Sequence, residues 1–371
     1  MTGASSIALY FYRIGGVGGG AERMVCQLAG ALARRGFEVQ LITWDAENAM
    51  AFYPIDPAVR WTKLGFAPGR VDKLRRFRAL HGVLRRYDIK VLVGFVMSGD
   101  RTVFAAAKLA GAKLVVAERN APQMYRFRCG ALHRWATFLL LGLADRITVQ
   151  MKSYALGYPR HLRGRIVTIP NPVPVASRGA KPDVADTFGR FTVLVVSRLD
   201  PVQKNIGCLV GAFARIAERF PTWDLRIVGD GPEHAQMLPR IDAYGLADRI
   251  RIEASTPDVF DAYSRSHLFA IPSRWEGFSN ALAEAMSHGL PAVGFDQAAG
   301  VAELIGEGGW LAEGLDDEAA LATALARAMA DDKERLRRGR VAAQRMCRFA
   351  PEQQFDLWAD LLGSLVTRGT Q

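Results

Sequence analysis

Short, almost continuously apolar runs alternate with helical stretches in this chain, and the alternation occurs twice. In the first half they read "IALYFY", "VQLITW", "KVLVGFV", "AKLVVAE", "RITVQ" and "RIVTIP"; in the second, "FTVLVVS", "WDLRIVG", "IRIEA", "LFAIPS" and "PAVGF". A strand that is apolar on both faces belongs in a parallel sheet, because the crossover helices that parallel pairing requires cover both sides. Between the two series, "NPVPVASRGAKPDVADTFG" (171–189) is rich in Pro, Gly and small polar residues, the composition of a linker. A chain of 371 residues also exceeds what one core comfortably serves. The pattern predicts an α/β protein of two Rossmann-like domains, 1–175 and 186–350. In such sheets ligands bind beyond the carboxyl ends of the strands.

Half of the residues are hydrophobic and 23% are charged, which excludes a disordered chain. Cys26, Cys129, Cys208 and Cys347 are far apart and read as scattered reduced thiols. The histidines show no ligand spacing, so no metal site is expected. "MTGASSIALYFYRIGG" has no basic segment ahead of its apolar run, so a cleaved signal is not expected either. "WATFLLLGLA" (135–144) has about half the length needed to span a bilayer. Charge is uneven: residues 1–180 carry 27 Lys+Arg against 10 Asp+Glu, whereas the remainder carries 21 against 27. The basic half calls for an anionic partner, whether membrane, nucleic acid or a phosphorylated substrate.

Four strand ends carry candidate chemistry. After the first strand, "RIGGVGGGAER" places five glycines ahead of an amphipathic helix, so that backbone at Gly18 and Gly19 can approach a ligand near the helix amides. It does not complete a dinucleotide fingerprint, since "LITWDAEN" offers no clean acid after the second strand; a simple tight turn is the other reading. "VSRLDPVQKN" places Arg198 and Lys204 across a turn, as a clamp for a diphosphate or as two solvated cations. "IVGDGPE" sets Gly229, Asp230 and Gly231 in a turn at a strand end. "PSRWEGFSNALAEA" runs from a loop into a helix capped by Ser279 or Asn280, with Glu276 in the loop and Glu284 in the helix. Backbone amides near Phe278, Ser279 and Asn280 suit a phosphate.

As an ordered set, "GGVGGGAER", "SRLDPVQKN", "VGDGP" and "PSRWEGFSNALAEA", with "IPNPV" (169–173) ending the first domain, resemble retaining glycosyltransferases of family 4 over nearly the whole chain. The resemblance implies the GT-B fold: two facing Rossmann-like domains with a deep cleft between them, and a final helix (351–371) crossing back onto the first. It implies that Arg198 and Lys204 hold the donor diphosphate, Glu276 the hydroxyls of the transferred sugar, and Glu284 the ribose. Backbone at Phe278, Ser279 and Asn280 would meet the sugar and phosphates, with Gly18 and Gly19 near the phosphates and acceptor, and Gly229–Gly231 near the nucleotide. Cleaving a sugar–diphosphate bond builds negative charge on the leaving group, which fixed cations stabilise. No D-x-D is present, so no metal or other cofactor is expected beyond the nucleotide sugar as co-substrate. Retention without an evident nucleophile suggests a same-face route, with Glu276 as covalent nucleophile its rival.

Two departures from the family matter. Where many relatives carry a histidine, this chain reads "AERNAP" (117–122), similar to the "ERNDP" of some polysaccharide-assembly members. Arg119 there either orients the reacting sugar or a phosphate, or pairs with Glu118. "IEASTPDVF" lacks a glycine often found where the base edge is read, which leaves the base open, UDP ahead of GDP. "VDKLRRFRALHGVLRRYD" (71–88) and "MYRFRCGALHRWATFLLLGLA" (124–144) are basic segments with apolar faces, either core-packed helices or surfaces for anionic lipid. With no nucleic-acid recognition motif beside them, they favour a cytoplasmic protein, peripheral on the inner face of the plasma membrane, acting on a lipid-linked or membrane glycan. The expected activity is transfer of a hexose or N-acetylhexosamine to a polysaccharide precursor. The alternatives are a nucleotide-sugar epimerase of the same architecture and a catalytically silent, membrane-docked binding module.

Overall fold

The computed structural model describes residues 5–16, 18–66, 72–95, 100–256 and 258–367. Val17 of the glycine loop, Val71 at the head of the first basic segment, and the last four residues of the chain lie outside them. The chain divides into two compact units, residues 1–172 with 351–371, and residues 173–350.

The first unit is built on β1 (Ser6–Phe11), β2 (Glu38–Thr43), β3 (Arg60–Lys63), β4 (Val91–Gly94), β5 (Lys113–Ala117), β6 (Arg146–Val149) and β7 (Ile166–Thr168). They pair in parallel in the order β3-β2-β1-β4-β5-β6-β7, with Ile7 against Val39 and Val91. The second unit has β8 (Phe191–Val196), β9 (Trp223–Val228), β10 (Ile250–Glu253), β11 (Leu268–Ile271), β12 (Ala292–Phe295) and β13 (Gly309–Ala312), in the parallel order β10-β9-β8-β11-β12-β13. Each apolar run of the sequence supplies a strand. β3 and β13 were not expected: they are edge strands, half covered; "RWTK" is mostly polar, and "GWLA" is a four-residue run bounded by glycines and an acid.

Strand order reverses between β1 and β4 in one unit and between β8 and β11 in the other. Connections there leave the sheet in opposite directions, so the loops at those carboxyl ends part and open a crevice. The helix Pro351–Thr367 packs in the first unit, where Phe355, Trp358, Leu361, Leu362 and Leu365 join Leu9, Val93 and Phe95 in one buried cluster. Of the stretch 171–189, expected as a linker, residues 171 and 172 belong to the first unit and 173–189 are pinned to the second. Pro182 O accepts from the buried Arg335 Nε at 2.8 Å, Val184 O contacts His267 Nε2 at 2.9 Å, and Ala180 N donates to His288 O at 2.6 Å. Its composition reflects irregular backbone rather than freedom.

Candidate functional site

In the second unit three strand-end loops meet at the reversal of strand order. The loop after β8 carries Arg198 and Lys204; the loop after β11 carries Ser273 to Phe278. Arg274 N donates to Gln203 O at 2.9 Å and Gln203 Nε2 to Trp275 O at 3.2 Å, locking the two together. That contact delivers Lys204 Nζ to Glu276 Oε1 at 2.7 Å. The same oxygen accepts from Ser273 Oγ at 2.7 Å. Glu276 is buried and Lys204 has 14% of its side chain exposed, so the pair stands in a largely dehydrated spot. Two residues 72 positions apart, named separately from the sequence, form one cation–carboxylate unit.

The turn after β9 backs onto the first loop. Leu199 N donates to Asp230 O at 2.8 Å and Glu233 N to Leu199 O at 3.1 Å. Gly229 and Gly231 have φ of 151° and 156°, and a Cβ on either would fall 1.8 Å from Ser197 O or 2.4 Å from Leu199 O. Only glycine allows the two turns to touch. Asp230 turns its carboxylate to Ser255, accepting from its N at 2.9 Å and from its hydroxyl, which holds the aspartate below the ordinary carboxylate range. Thus Asp230 ties the ends of β9 and β10.

The helix Asn280–Ser287 starts after Ser279, whose hydroxyl makes no cap. The amides of a helix's first turn lack intrahelical acceptors and carry the positive end of its dipole. Glu284 lies buried on this helix, its Oε2 accepting from the Tyr263 hydroxyl at 3.2 Å. Phe278 is buried edge-on against Phe349, at 5.3 Å between ring centroids, so it offers a ligand only backbone. Arg198 is not brought into the cluster: it is exposed, and its guanidinium makes no hydrogen bond or ion pair among the described residues.

In the first unit, Gly19 precedes the helix Gly20–Arg34, again without a side-chain cap, and Gly18 is exposed beside Phe52. Asp45, just beyond β2, supplies what the sequence reading missed. Its two carboxylate oxygens accept from the amides of Ile14 and Gly15 at 3.1 Å each, so the acid shapes the glycine loop. Further along the sheet, Glu118 and Arg119 do not pair. Glu118 Oε2 accepts from the hydroxyls of Tyr125 at 2.7 Å and Tyr158 at 3.0 Å, and burial pushes its carboxyl upward. Arg119 donates through Nη2 to Asn171 Oδ1, which also accepts from Gln150 Nε2 at 3.0 Å. Gln150 and Asn171 carried no sequence signal, because only the fold brings the ends of β5, β6 and β7 together.

The comparisons with known proteins agree with this arrangement. Residues 19–172 match the family described as "Glycosyl transferase 4-like domain", and residues 190–331 that described as "Glycosyl transferases group 1". The amylovoran biosynthesis glycosyltransferase AmsD of Erwinia amylovora is 25% identical over 93% of this chain and 96% of its own. The exopolysaccharide phosphotransferase SCO2592 of Streptomyces coelicolor is 31% identical over 77% of this chain, which spans only 30% of that longer protein. The structure of Anabaena Alr3699/HepE in complex with UDP and glucose superposes with a TM-score of 0.77 at 18% identity, covering 96% of this chain and 99% of that one.

Proposed function

Since this chain belongs to the GT-B glycosyltransferase superfamily, we propose that it is a retaining enzyme of family 4. It moves a hexose or N-acetylhexosamine from a nucleotide sugar, UDP-linked ahead of GDP-linked, to a lipid-linked or cell-surface polysaccharide precursor. The observation that carries the reading is the convergence of Lys204, Glu276 and the uncapped helix start before Glu284 at the strand-order reversal of the second unit. A fixed cation and the dipole end of a helix suit a diphosphate, and a dehydrated carboxylate suits a sugar hydroxyl. The UDP and glucose of the Anabaena structure support the donor class, and the polysaccharide role in AmsD's name supports the acceptor class.

In the reaction, the anomeric C–O bond to the diphosphate breaks while the acceptor oxygen bonds to the same face of that carbon. The leaving diphosphate oxygen takes the acceptor's proton. Charge grows on the diphosphate, where Lys204 and the helix start act more strongly on the transition state than on the ground state. Arg198, exposed and unengaged in this structure, turns to the same diphosphate when donor binds. Glu276 holds the sugar, Glu284 the ribose, and the glycine turns at Gly18–Gly19 and Gly229–Gly231 pass close to donor. No metal is required by this scheme, since side chains and amides carry the compensating charge.

The acceptor is met at a membrane surface. The helix Ala131–Leu141 and the turn after it present Leu132, Trp135, Leu139 and Leu143 to solvent at 80%, 64%, 58% and 67% exposure, beside Arg126 and Arg128. No helix among the described residues is long and apolar enough to cross a membrane. A panel of UDP-, GDP- and ADP-sugars incubated with and without membrane extract tests the function. Acceptor-dependent nucleotide release with an α-configured product from an α-configured donor is expected. Binding without release, or an inverted product, would reject the reading.

A further inference from the structure

We infer that the hollow at the outer edge of β13 binds a small anionic sugar, a pyranose carrying a carboxylate or a phosphate. β13 ends the second sheet on one side, so no strand of that sheet lies beyond it. A cavity of about 270 Å³ opens there, with Gly306, Gly309, Trp310 and Leu311 around the strand. Arg327 of the helix Glu318–Ala330 and Arg338 of the helix Asp332–Met346 face it from the other side. Gly309 stands at the amino end of β13, whereas Lys204 and Glu276 follow the carboxyl ends of β8 and β11. Since the sheet is parallel, the hollow and the donor loops lie at opposite ends of it. Gly306 has φ of 46°, and a Cβ there would strike the guanidinium of Arg345, so a third arginine packs directly behind the wall.

The charge of the hollow runs against its surroundings. Residues 181–371 carry 21 Lys+Arg against 27 Asp+Glu, yet both charged side chains lining the cavity are arginines. Arg327 is exposed and makes no hydrogen bond or ion pair among the described residues. Arg338 is held in place: its Nε donates to Glu334 Oε1 at 2.7 Å and its Nη1 to Gly309 O. Glu334 pairs with Arg337 as well, so one carboxylate serves two guanidiniums and positive charge remains over. One mobile and one fixed guanidinium across a cavity suit a carboxylate or a phosphate. Beside them stands an apolar wall. The ring of Trp310 is half-buried, with the Arg338 guanidinium carbon 4.6 Å from its centroid, and Leu311 is 39% exposed. A bare anion has no use for that wall, whereas the C–H face of a sugar covers it while the anionic group reaches the arginines. Size narrows the class further. Small-molecule sites run from roughly 300 to 1,000 Å³, so this one holds a single ring with its substituents and excludes a nucleotide sugar.

Calorimetry with galacturonate and galactose 6-phosphate as probes tests the site without requiring turnover; galactose and inorganic phosphate are the controls. At least one anionic sugar should bind more tightly than either control. Binding of the uronate alone assigns a carboxylate, binding of the phosphate ester alone assigns a phosphate, and binding of both assigns the shared class. Arg327→Met, at an exposed position, should weaken the bound probe by ~10-fold or more, the loss of a charge-assisted hydrogen bond. Trp310→Leu should weaken the sugar probe and leave inorganic phosphate as it was. Should that variant fail to fold, the comparison of the sugar probes with inorganic phosphate on the wild-type protein decides the same point. Excess UDP should not displace the probe, because the donor loops lie at the other end of the sheet. Wild-type protein that binds neither anionic sugar, or binds inorganic phosphate as tightly, would overturn the site. So would unchanged binding by Arg327→Met, or displacement of the probe by UDP.

Discussion

Lys204 and Glu276 meet at 2.7 Å with little water around them, so each is the other's compensation in the unliganded protein. Removing one leaves the other charge buried, which costs stability as well as chemistry. Lys204→Ala should therefore lower kcat at least ~10²-fold with a smaller effect on KM, the pattern of an interaction made in the transition state. Its melting temperature should fall too. Lys204→Met combined with Glu276→Gln should recover most of that stability and none of the turnover, because it removes both charges together. Recovery of turnover in the double variant would mean the pair is only structural. The sequence places Lys204 and Glu276 in loops after strands and Glu284 in the helix that follows, and the structure has them there. Asp45, Gln150 and Asn171 were not legible, since the bonds of Asp45 to Gly15 and of Asn171 to Gln150 and Arg119 join loops that only the folded sheet brings together; Ser273, three residues before Glu276 in the same loop, carried no signal of its own.

Helices sort the two basic segments of the first half. In Lys73–Arg86, Asp72 caps the start, accepting from the amides of Leu74 and Arg75; Leu80 and Leu84 are buried in the core, and of its apolar residues Leu74 is exposed. Arg76 turns inward toward Asp100 at 3.7 Å. The helix Ala131–Leu141 does the opposite with Leu132, Trp135 and Leu139, which recur at helical spacing on solvent. From the sequence both segments read alike, because periodicity reports an apolar face without saying what covers it. Sedimentation with phosphatidylglycerol vesicles separates them. Trp135→Ala with Leu139→Ala should reduce binding by ~10-fold or more at any salt concentration, as apolar area is lost at roughly 25 cal/mol per Å². Arg85→Ala with Arg86→Ala, both exposed, should weaken binding at low ionic strength and little at high, since screening removes their contribution. Undiminished binding by the Trp135/Leu139 variant would remove that helix as the docking face. Eleven strands were legible as runs, the edges β7 and β10 among them, whereas β3, "RWTK", is mostly polar and β13, "GWLA", is a short run bounded by glycines and an acid.

At the scale of the whole molecule, the chain passes between the two units twice, after residue 172 and before residue 351. The second passage brings Phe355, Trp358, Leu361, Leu362 and Leu365 into the core formed by β1, β4 and the helix Gly20–Arg34, with Trp358 and Phe95 at 6.1 Å between ring centroids. Arg35 reinforces it, pairing with Glu352 and Asp356 at 2.7 Å each; these contacts are solvent-edged and contribute little beside the buried rings. The first unit is thus completed by residues that follow the whole of the second. It should not reach its native stability while the chain is shorter than this helix. Trp358→Ala, which empties a fully buried site, should cost about 3–5 kcal/mol. The loss should fall on the first unit, because nothing in the buried cluster around Trp358 belongs to residues 173–350. Amide hydrogen exchange reads this directly. In Trp358→Ala, β1 and β4 should lose protection while β8 and β11 keep theirs, and a chain ending at residue 350 should show the same pattern more strongly. Equal loss in both units would mean that they unfold as one cooperative body, and that the final helix stabilises the molecule as a whole rather than the sheet it packs on.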